Sequence, residues 1–357
     1  MRRLGFLPGR VLAGCFFFAA LAEAMISPVR AQPTLSSGGP VSQVDWNAYR
    51  AKFVHENGRV IDDANGGISH SESQGYGLLL AYLAGDRAAF ERIWTFTRVE
   101  LLIRDDGLAA WRWDPKATPH VTDINNATDG DILIAYALGL AGTAWKVPGY
   151  VAAGRKIATA IGATVVKRHQ DKWLLMPGAT GFDRADRPDG PVVNLSYWVF
   201  EAFPVLARLA PQANWDDVSK QGLALIDSFV LQGKVVPEWT SVQGKPVPAD
   251  RFEPVFGYNA LRVPLYLLRA GLSEPQRLTS IHRAWAQGPG VVEIGGGRVK
   301  APLNEPGYRV LQAAIACAVD GTRIPEELRR FEPTQYYPST IHLLTLSLIS
   351  GRYPQCL

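Results

Sequence analysis

Apolar residues recur at helical spacing along nearly the whole chain. Trp46, Tyr49, Ala51 and Phe53 mark a first short helix within 45–54. A loop at 57–67, carrying Gly58, Gly66 and Gly67, precedes the polar stretch Ser69-His70-Ser71-Glu72-Ser73-Gln74-Gly75-Tyr76-Gly77. That stretch runs directly into the apolar residues 78–83, and the helix it opens should end near Gly85. Asp86 is placed to cap the next helix, with Phe90, Ile93, Trp94 and Thr97 on one face. The same pattern continues over 129–145, 150–166, 195–209, 215–231, 258–270, 274–286, 308–319 and 341–350, giving about eleven helical stretches. Strand-like alternation is sparse; residues 290–299 could form a small hairpin.

Most connections are short turns. Longer loops fall at 104–128, 171–193, 233–257 and 287–304, and they hold most of the Trp, Asp and Arg clusters. No fixed repeat period exists, which argues against a solenoid. Successive antiparallel helix pairs fit an all-α closed barrel or a stack of helical hairpins. In a barrel the long loops would gather on one face and build a cleft. No break in composition divides residues 42–357, so a single domain is expected there, behind a flexible Pro/Ser/Gly-rich leader at 32–41.

The N-terminus changes how the charge is read. Arg2 and Arg3 precede an apolar run over 11–25, and Val29-Arg30-Ala31 has the small-residue pattern of a cleavage site, so 1–31 reads as a signal peptide. A second reading, anchoring through Cys15 in Leu12-Ala13-Gly14-Cys15, fits less well because most of the apolar run follows Cys15. Without Arg2, Arg3, Arg10, Arg30 and Glu23, the chain's 37 basic and 33 acidic residues become 33 and 32. A nearly neutral protein with no basic run has no nucleic-acid partner to expect. Export, to the periplasm or beyond, is the expected location. Cys317 and Cys356 then remain, either as one disulfide or as two buried thiols.

Three clusters at helix starts carry the candidate chemistry. Ser69-x-x-Glu72 and Ser71-x-x-Gln74 both match a capping box, and only one frame can cap. If Ser71 caps, Glu72 is free to enter a cleft. With no basic neighbour in sequence except His70, Glu72 is well placed to stay protonated near neutral pH. Gly75 and Gly77 in the first turn cost about 1 kcal/mol each relative to Ala, which implies close packing or a ligand's close approach. Asn125-Asn126-Ala127-Thr128-Asp129-Gly130-Asp131 could complement a helix dipole, bind sugar hydroxyls, or form part of a calcium loop, although EF-hand spacing is missing. Arg262 in Phe256-Gly257-Tyr258-Asn259-Ala260-Leu261-Arg262 is an ion in an apolar helix start and needs a carboxylate or ligand partner. No phosphate-binding glycine loop, zinc motif or nucleophile elbow occurs. Carboxylates, amides and aromatics suit glycoside hydrolysis, in which one carboxylic acid protonates the leaving oxygen and a second carboxylate activates water or attacks the sugar.

Taken together these clusters resemble glycoside hydrolase family 8, most closely the endoglucanases that accompany bacterial cellulose synthases. Residues 71–77 match the family's Ser-Glu-Gly-Gln-x-Tyr-Gly segment with Ser73 in place of Gly, and Ala127-Thr128-Asp129-Gly130-Asp131 matches its Ala-(Ser/Thr)-Asp-Gly-Asp. Leu175-Met176-Pro177-Gly178, Asn194-Leu195-Ser196-Tyr197 and Arg262-Val263-Pro264-Leu265-Tyr266 match in order and spacing. The resemblance implies an (α/α)6 barrel and an inverting endo-β-1,4-glucanase that needs no cofactor or metal. It implies Glu72 as general acid, Asp129 as the holder of the sugar at the cleavage point, and Trp111, Trp113, Tyr197, Trp239 and Arg262 as cleft residues. Cellulose synthase machinery is the partner it suggests, with the enzyme itself a monomer; xylan or chitosan would be alternative polymers. One departure matters. The cellulose-associated enzymes that it resembles have Tyr-Asp-Ala-x-Arg, with the Asp as general base, where this chain has Asn259, and other branches of the family place the base on a different loop. A carboxamide has no useful basicity, so either Glu253, Asp250 or Glu238 serves, or the chain is a feeble hydrolase or a glucan-binding accessory.

Overall fold

Why the helices close on one another is visible in how they are buried. In the computed structural model, which describes residues 39–357, α2 (Ser71–Leu83), α4 (Thr128–Ala144), α8 (Arg262–Ala270) and α11 (Tyr336–Arg352) are buried on nearly all sides. The helices α3 (Arg87–Phe96), α5 (Pro148–Thr164), α7 (Trp215–Val230) and α9 (Pro275–Ala284) bury one face only. An apolar-all-round helix needs a shell, and a one-faced helix supplies it. With α1 (Gln43–Phe53), α6 (Phe203–Leu209) and α10 (Pro306–Asp320), the result is the (α/α)6 barrel of helical hairpins, with one large core and a smaller apolar cluster around Cys317 and Cys356. The segments expected to be a signal peptide and most of the leader lie outside the described residues.

The long loops are clipped by short antiparallel strands. β1 (Ser69–His70) pairs with β2 (Arg112–Trp113), and β3 (Val166–His169) pairs with β4 (Lys172–Leu175). β5 (Val192–Val193), β6 (Thr240–Ser241) and β7 (Val247–Pro248) form one small sheet. The expected hairpin near 290–299 forms as β9 (Gly290–Glu293) and β10 (Val299–Pro302), and β8 (Val255–Phe256) joins it as a third strand.

Two expected helices start later than their patterns suggest. Residues 195–209 open as two 3-10 turns, and α6 begins only at Phe203; Asn194 accepts the Ser196 N–H, and Pro204 can sit only at a helix start. Residues 258–261 are turns ahead of α8, where Asn259 O accepts Arg262 N–H. The cysteines form the bridge Cys317–Cys356, with Cα atoms 5.9 Å apart, which fastens the C-terminal turn to the end of α10.

Glycine decides one packing event that builds the site. A Cβ on Gly75 would lie 2.5 Å from Leu133 Cβ, and one on Gly130 would lie 2.1 Å from Ser71 Oγ. The first turns of α2 and α4 therefore touch backbone to side chain, and Glu72 and Asp129 come side by side. Of the two reasons considered for Gly75, close packing is the one realised.

Candidate active site

The capping pattern at α2 resolves differently from either serine frame. His70 is the cap: its Nδ1 accepts the Ser73 N–H at 3.1 Å, while Ser73 Oγ accepts the His70 N–H at 3.1 Å. Ser69 and Gln74 are drawn away to the 58–60 turn, where Ser69 Oγ donates to Val60 O and Gln74 Oε1 accepts the Val60 N–H at 2.6 Å. The Ser71 N–H donates to Trp111 O at 3.0 Å, which fixes the 111–113 segment beside the helix start. Glu72 is thereby released from capping and projects into the barrel mouth.

Its basic neighbour comes from 190 residues away. Arg262 Nη1 donates to Glu72 Oε2 at 2.6 Å and to Asp129 Oδ2 at 2.7 Å, and Nη2 donates to Ser196 Oγ at 2.9 Å and Asn259 Oδ1 at 3.1 Å. Side-chain exposure is 1% for Arg262, 2% for Asp129 and 17% for Glu72, so Glu72 is the member that reaches solvent. Burial holds the Glu72 carboxyl above its ordinary range, although Arg262 and His70 pull it down. The main cause is loss of hydration in the closed cluster; the nearby Asp129 and Asp62 add a smaller push in the same direction. Oε2 is held by Arg262, so Oε1, which accepts no hydrogen bond from the described residues, is free to carry a proton.

Asp129 spends Oδ1 on its own helix start, accepting the Gly130 N–H at 2.9 Å. Asp131 turns inward instead of toward any cation. It accepts Ala109 N–H at 2.7 Å and Asn126 Nδ2–H at 2.9 Å, and burial pushes its carboxyl up to about 7 against the pull of those bonds. Asn126 Oδ1 in turn accepts the Ala179 N–H at 2.7 Å, so the 104–110 and 176–181 loops are tied to α4.

Glu72 and Asn259 line the same cavity, of about 520 Å³, with Asp62, His70, Tyr258, Tyr336 and Tyr337. The Arg262 fork turns the Asn259 oxygen inward and leaves its amide N–H groups to the cleft, so the side chain offers donors there and no acceptor for a proton. Of the three carboxylates considered for the base, Glu238 lies at this position: its Oε1 accepts the Asn259 backbone N–H at 2.7 Å. Glu253 is exposed and ion-paired with Lys300, and Asp250 is exposed on a loop tied to Asp189 and Arg187.

Not every aromatic residue is free for a sugar. Trp113 is 8% exposed, donates Nε1–H to Glu100 and packs on Phe96 and His120; it is core. Trp239 stacks on Phe182 at 5.4 Å and on Phe252 at 4.5 Å, so much of its ring surface is taken up by neighbouring rings. Tyr197 is half-buried with Arg262 over its ring at 5.6 Å, and Trp111 is half-buried with its indole N–H on Asp123. Asp62, which faces His70 Nε2 at 3.3 Å, and Ser196 were not legible as site residues. Asp62 sits in a glycine-rich loop without a helix start to announce it, and Ser196 gains its partner only through the fold.

A carboxyl opening onto a cleft, braced by an arginine beside a second carboxylate, can give a proton to a group bound there. Comparison with known proteins decides the family. Glycosyl hydrolases family 8 matches residues 21–346. The chain belongs to this family. A "Probable endoglucanase" of Novacetimonas hansenii is 37% identical over 74% of this chain and 79% of its own. An "Endoglucanase" of Cellulomonas uda is 33% identical over 69% of this chain and 68% of its own. The solved endo-beta-1,4-glucanase CMCax of Acetobacter xylinum superposes with a TM-score of 0.76 at 33% identity, covering 86% of this chain and 97% of that one. An exo-oligoxylanase at 16% identity and TM-score 0.68 shares the family 8 fold.

Proposed function

We propose that this family 8 protein is an exported endo-β-1,4-glucanase that cleaves cellulose-type glucan with inversion at the anomeric carbon. The observation that carries the reading is Glu72: its Oε2 is fixed on Arg262, its Oε1 opens to the cleft, and its carboxyl is held above the ordinary range by burial. Glu72 would give its proton to the glycosidic oxygen as the bond to C1 breaks. A water on the opposite face of the sugar attacks C1 and must lose a proton to a base. Asn259 can hold that water by donating to it but cannot accept the proton. Glu238 accepts it in this account, through Oε2, which has no hydrogen-bond partner among the described residues. Asp129 keeps spare lone pairs for a sugar hydroxyl while it braces Arg262.

The Cys317–Cys356 bridge supports export, since such bonds persist in oxidising compartments. The resemblance of its motifs to the endoglucanases that accompany bacterial cellulose synthases supports work beside a cellulose synthase. The test is reducing-end release from carboxymethylcellulose, with Glu72→Gln as control and NMR of the first anomer formed. Turnover by the wild type alone, yielding the α-anomer, is expected. Activity that survives Glu72→Gln overturns the assignment. Tight binding without turnover by the wild type would favour a glucan-binding accessory, the reading that Asn259 itself suggests.

A further inference from the structure

Two turns beneath the catalytic cluster lies a second buried ion pair that the proposed chemistry does not use. Arg269 Nε donates to Glu201 Oε1 at 2.5 Å, and both side chains are fully buried. Arg269 Nη1 donates to Leu344 O of α11 at 2.9 Å, and Tyr136 Oη donates to Glu201 Oε2 at 3.3 Å. Arg269 Nη2 has no hydrogen-bond partner among the described residues. Two desolvated charges and an unpaired N–H are costly where apolar packing would serve, so the pair needs a reason beyond filling space.

The spacing gives one. Arg262 and Arg269 are seven residues apart on α8, and Asp129 and Tyr136 are seven residues apart on α4. Seven residues are close to two helical turns, about 10 Å of rise, so each pair shares one face. Asp129 meets Arg262 directly at the upper level. At the lower level Glu201, on the 3-10 turn between the two helices, bridges Tyr136 to Arg269. Between these levels the Tyr266 hydroxyl of α8 pairs with that of Tyr76, four residues beyond Glu72 on α2. Arg262 also stands at the first residue of its helix, the end where a cation is least favoured. Its place is therefore not set by α8 itself. We infer that Glu201 is a positioning residue: with Arg269 and Tyr136 it fixes the register of α4 against α8, so that Asp129 and Arg262 meet at Glu72.

This inference rests on Glu72 being the acid, but it can be read without turnover. Glu72 titrates among Arg262 of α8, Asp129 of α4, His70 beside it and Asp62 of the preceding turn. If the register slips, Arg262 withdraws and Glu72 binds its proton more tightly. The experiment follows the side-chain carboxyl of Glu72 by 13C NMR through a pH titration, in the wild type, in Glu201→Gln and in the double variant Glu201→Leu/Arg269→Met. The double variant removes both charges and guards against loss of the fold. The expected result is an upward shift of the Glu72 midpoint in both variants. The alkaline limb of kcat should move to higher pH, with kcat lower by about 10- to 100-fold, the loss that misplacement of about 1 Å can cause. A folded double variant with the wild-type Glu72 midpoint overturns the inference. A wild type that does not hydrolyse glucan, yet shows the shift between variants, would overturn the hydrolase reading and leave this one standing.

Discussion

The two sides of the cleft are built by different means. On the acid side, Glu72 and Asp129 stand in the first turns of α2 and α4, which glycine packing presses together, and Arg262 opens α8 opposite them. On the base side, Glu238, Trp239 and Asn259 ride on the 233–261 segment, which β6, β7 and β8 clip in place. Helix starts hold a side chain by buried backbone; loops hold it by a few specific bonds. A change at the acid end therefore has nowhere to be absorbed. At the base end a carboxylate can move from one loop position to another while the fold stays as it is. That contrast is the physical setting of the proposed division of work between Asn259 and Glu238.

The sharpest break of this contrast is Glu72→Gln. It keeps the acceptor for Arg262 and removes the proton, and kcat on carboxymethylcellulose should fall by about 10²–10⁴-fold with little change in KM. The same substitution should alter stability with a definite sign. The folded carboxyl has a raised pKa, so its contribution is fully present below the unfolded value and is lost as pH rises through the folded one. Thermal melts of Glu72→Gln against wild type should hence show a difference that moves in favour of Gln from pH 4 toward neutrality. A difference independent of pH would mean that Glu72 binds its proton equally in the folded and unfolded chain, and a difference that moved against Gln would mean that its folded pKa is lowered.

Changes remote from both sides should leave turnover alone. Reducing Cys317–Cys356, or replacing both by Ala, opens a loop of 39 residues and should cost about 2–4 kcal/mol in denaturant unfolding. Activity at low temperature should persist. Smaller still is the effect expected of Trp239→Phe. An indole stacked on Phe182 and Phe252 is engaged by its own loops, so KM should change less than about threefold, the scale of a lost surface contact. A large rise in KM would return Trp239 to the sugar-stacking role expected from the sequence.

What was legible in the sequence follows the same division. Helical periodicity gave the inner and outer helices because burial on one face or all faces writes itself into spacing. Glu72, Asp129 and Arg262 stood out as charges at apolar helix starts, and the fold brings them onto one guanidinium nitrogen. The details that failed were contacts without a local signature. His70 displaced both serines as the cap because its Nδ1 reaches Ser73 while the serines and Gln74 are claimed by neighbouring turns. Trp113 and Trp239 looked like sugar platforms, but whether an indole face is open depends on rings from other loops. The Glu201–Arg269 pair was silent because neither residue lies in a motif, and their meeting is a product of the barrel.

The central claim, that Glu238 takes the water's proton where Asn259 cannot, is tested most directly by one kinetic comparison on carboxymethylcellulose. Glu238→Gln keeps the bond from the Asn259 N–H and removes the base; Glu238→Gln/Asn259→Asp supplies a carboxylate at the neighbouring position. With Glu238 as the base, kcat should fall by about 10²–10⁴-fold in the single variant and recover substantially in the double. Unchanged kcat in Glu238→Gln would contradict it and place the proton acceptor elsewhere.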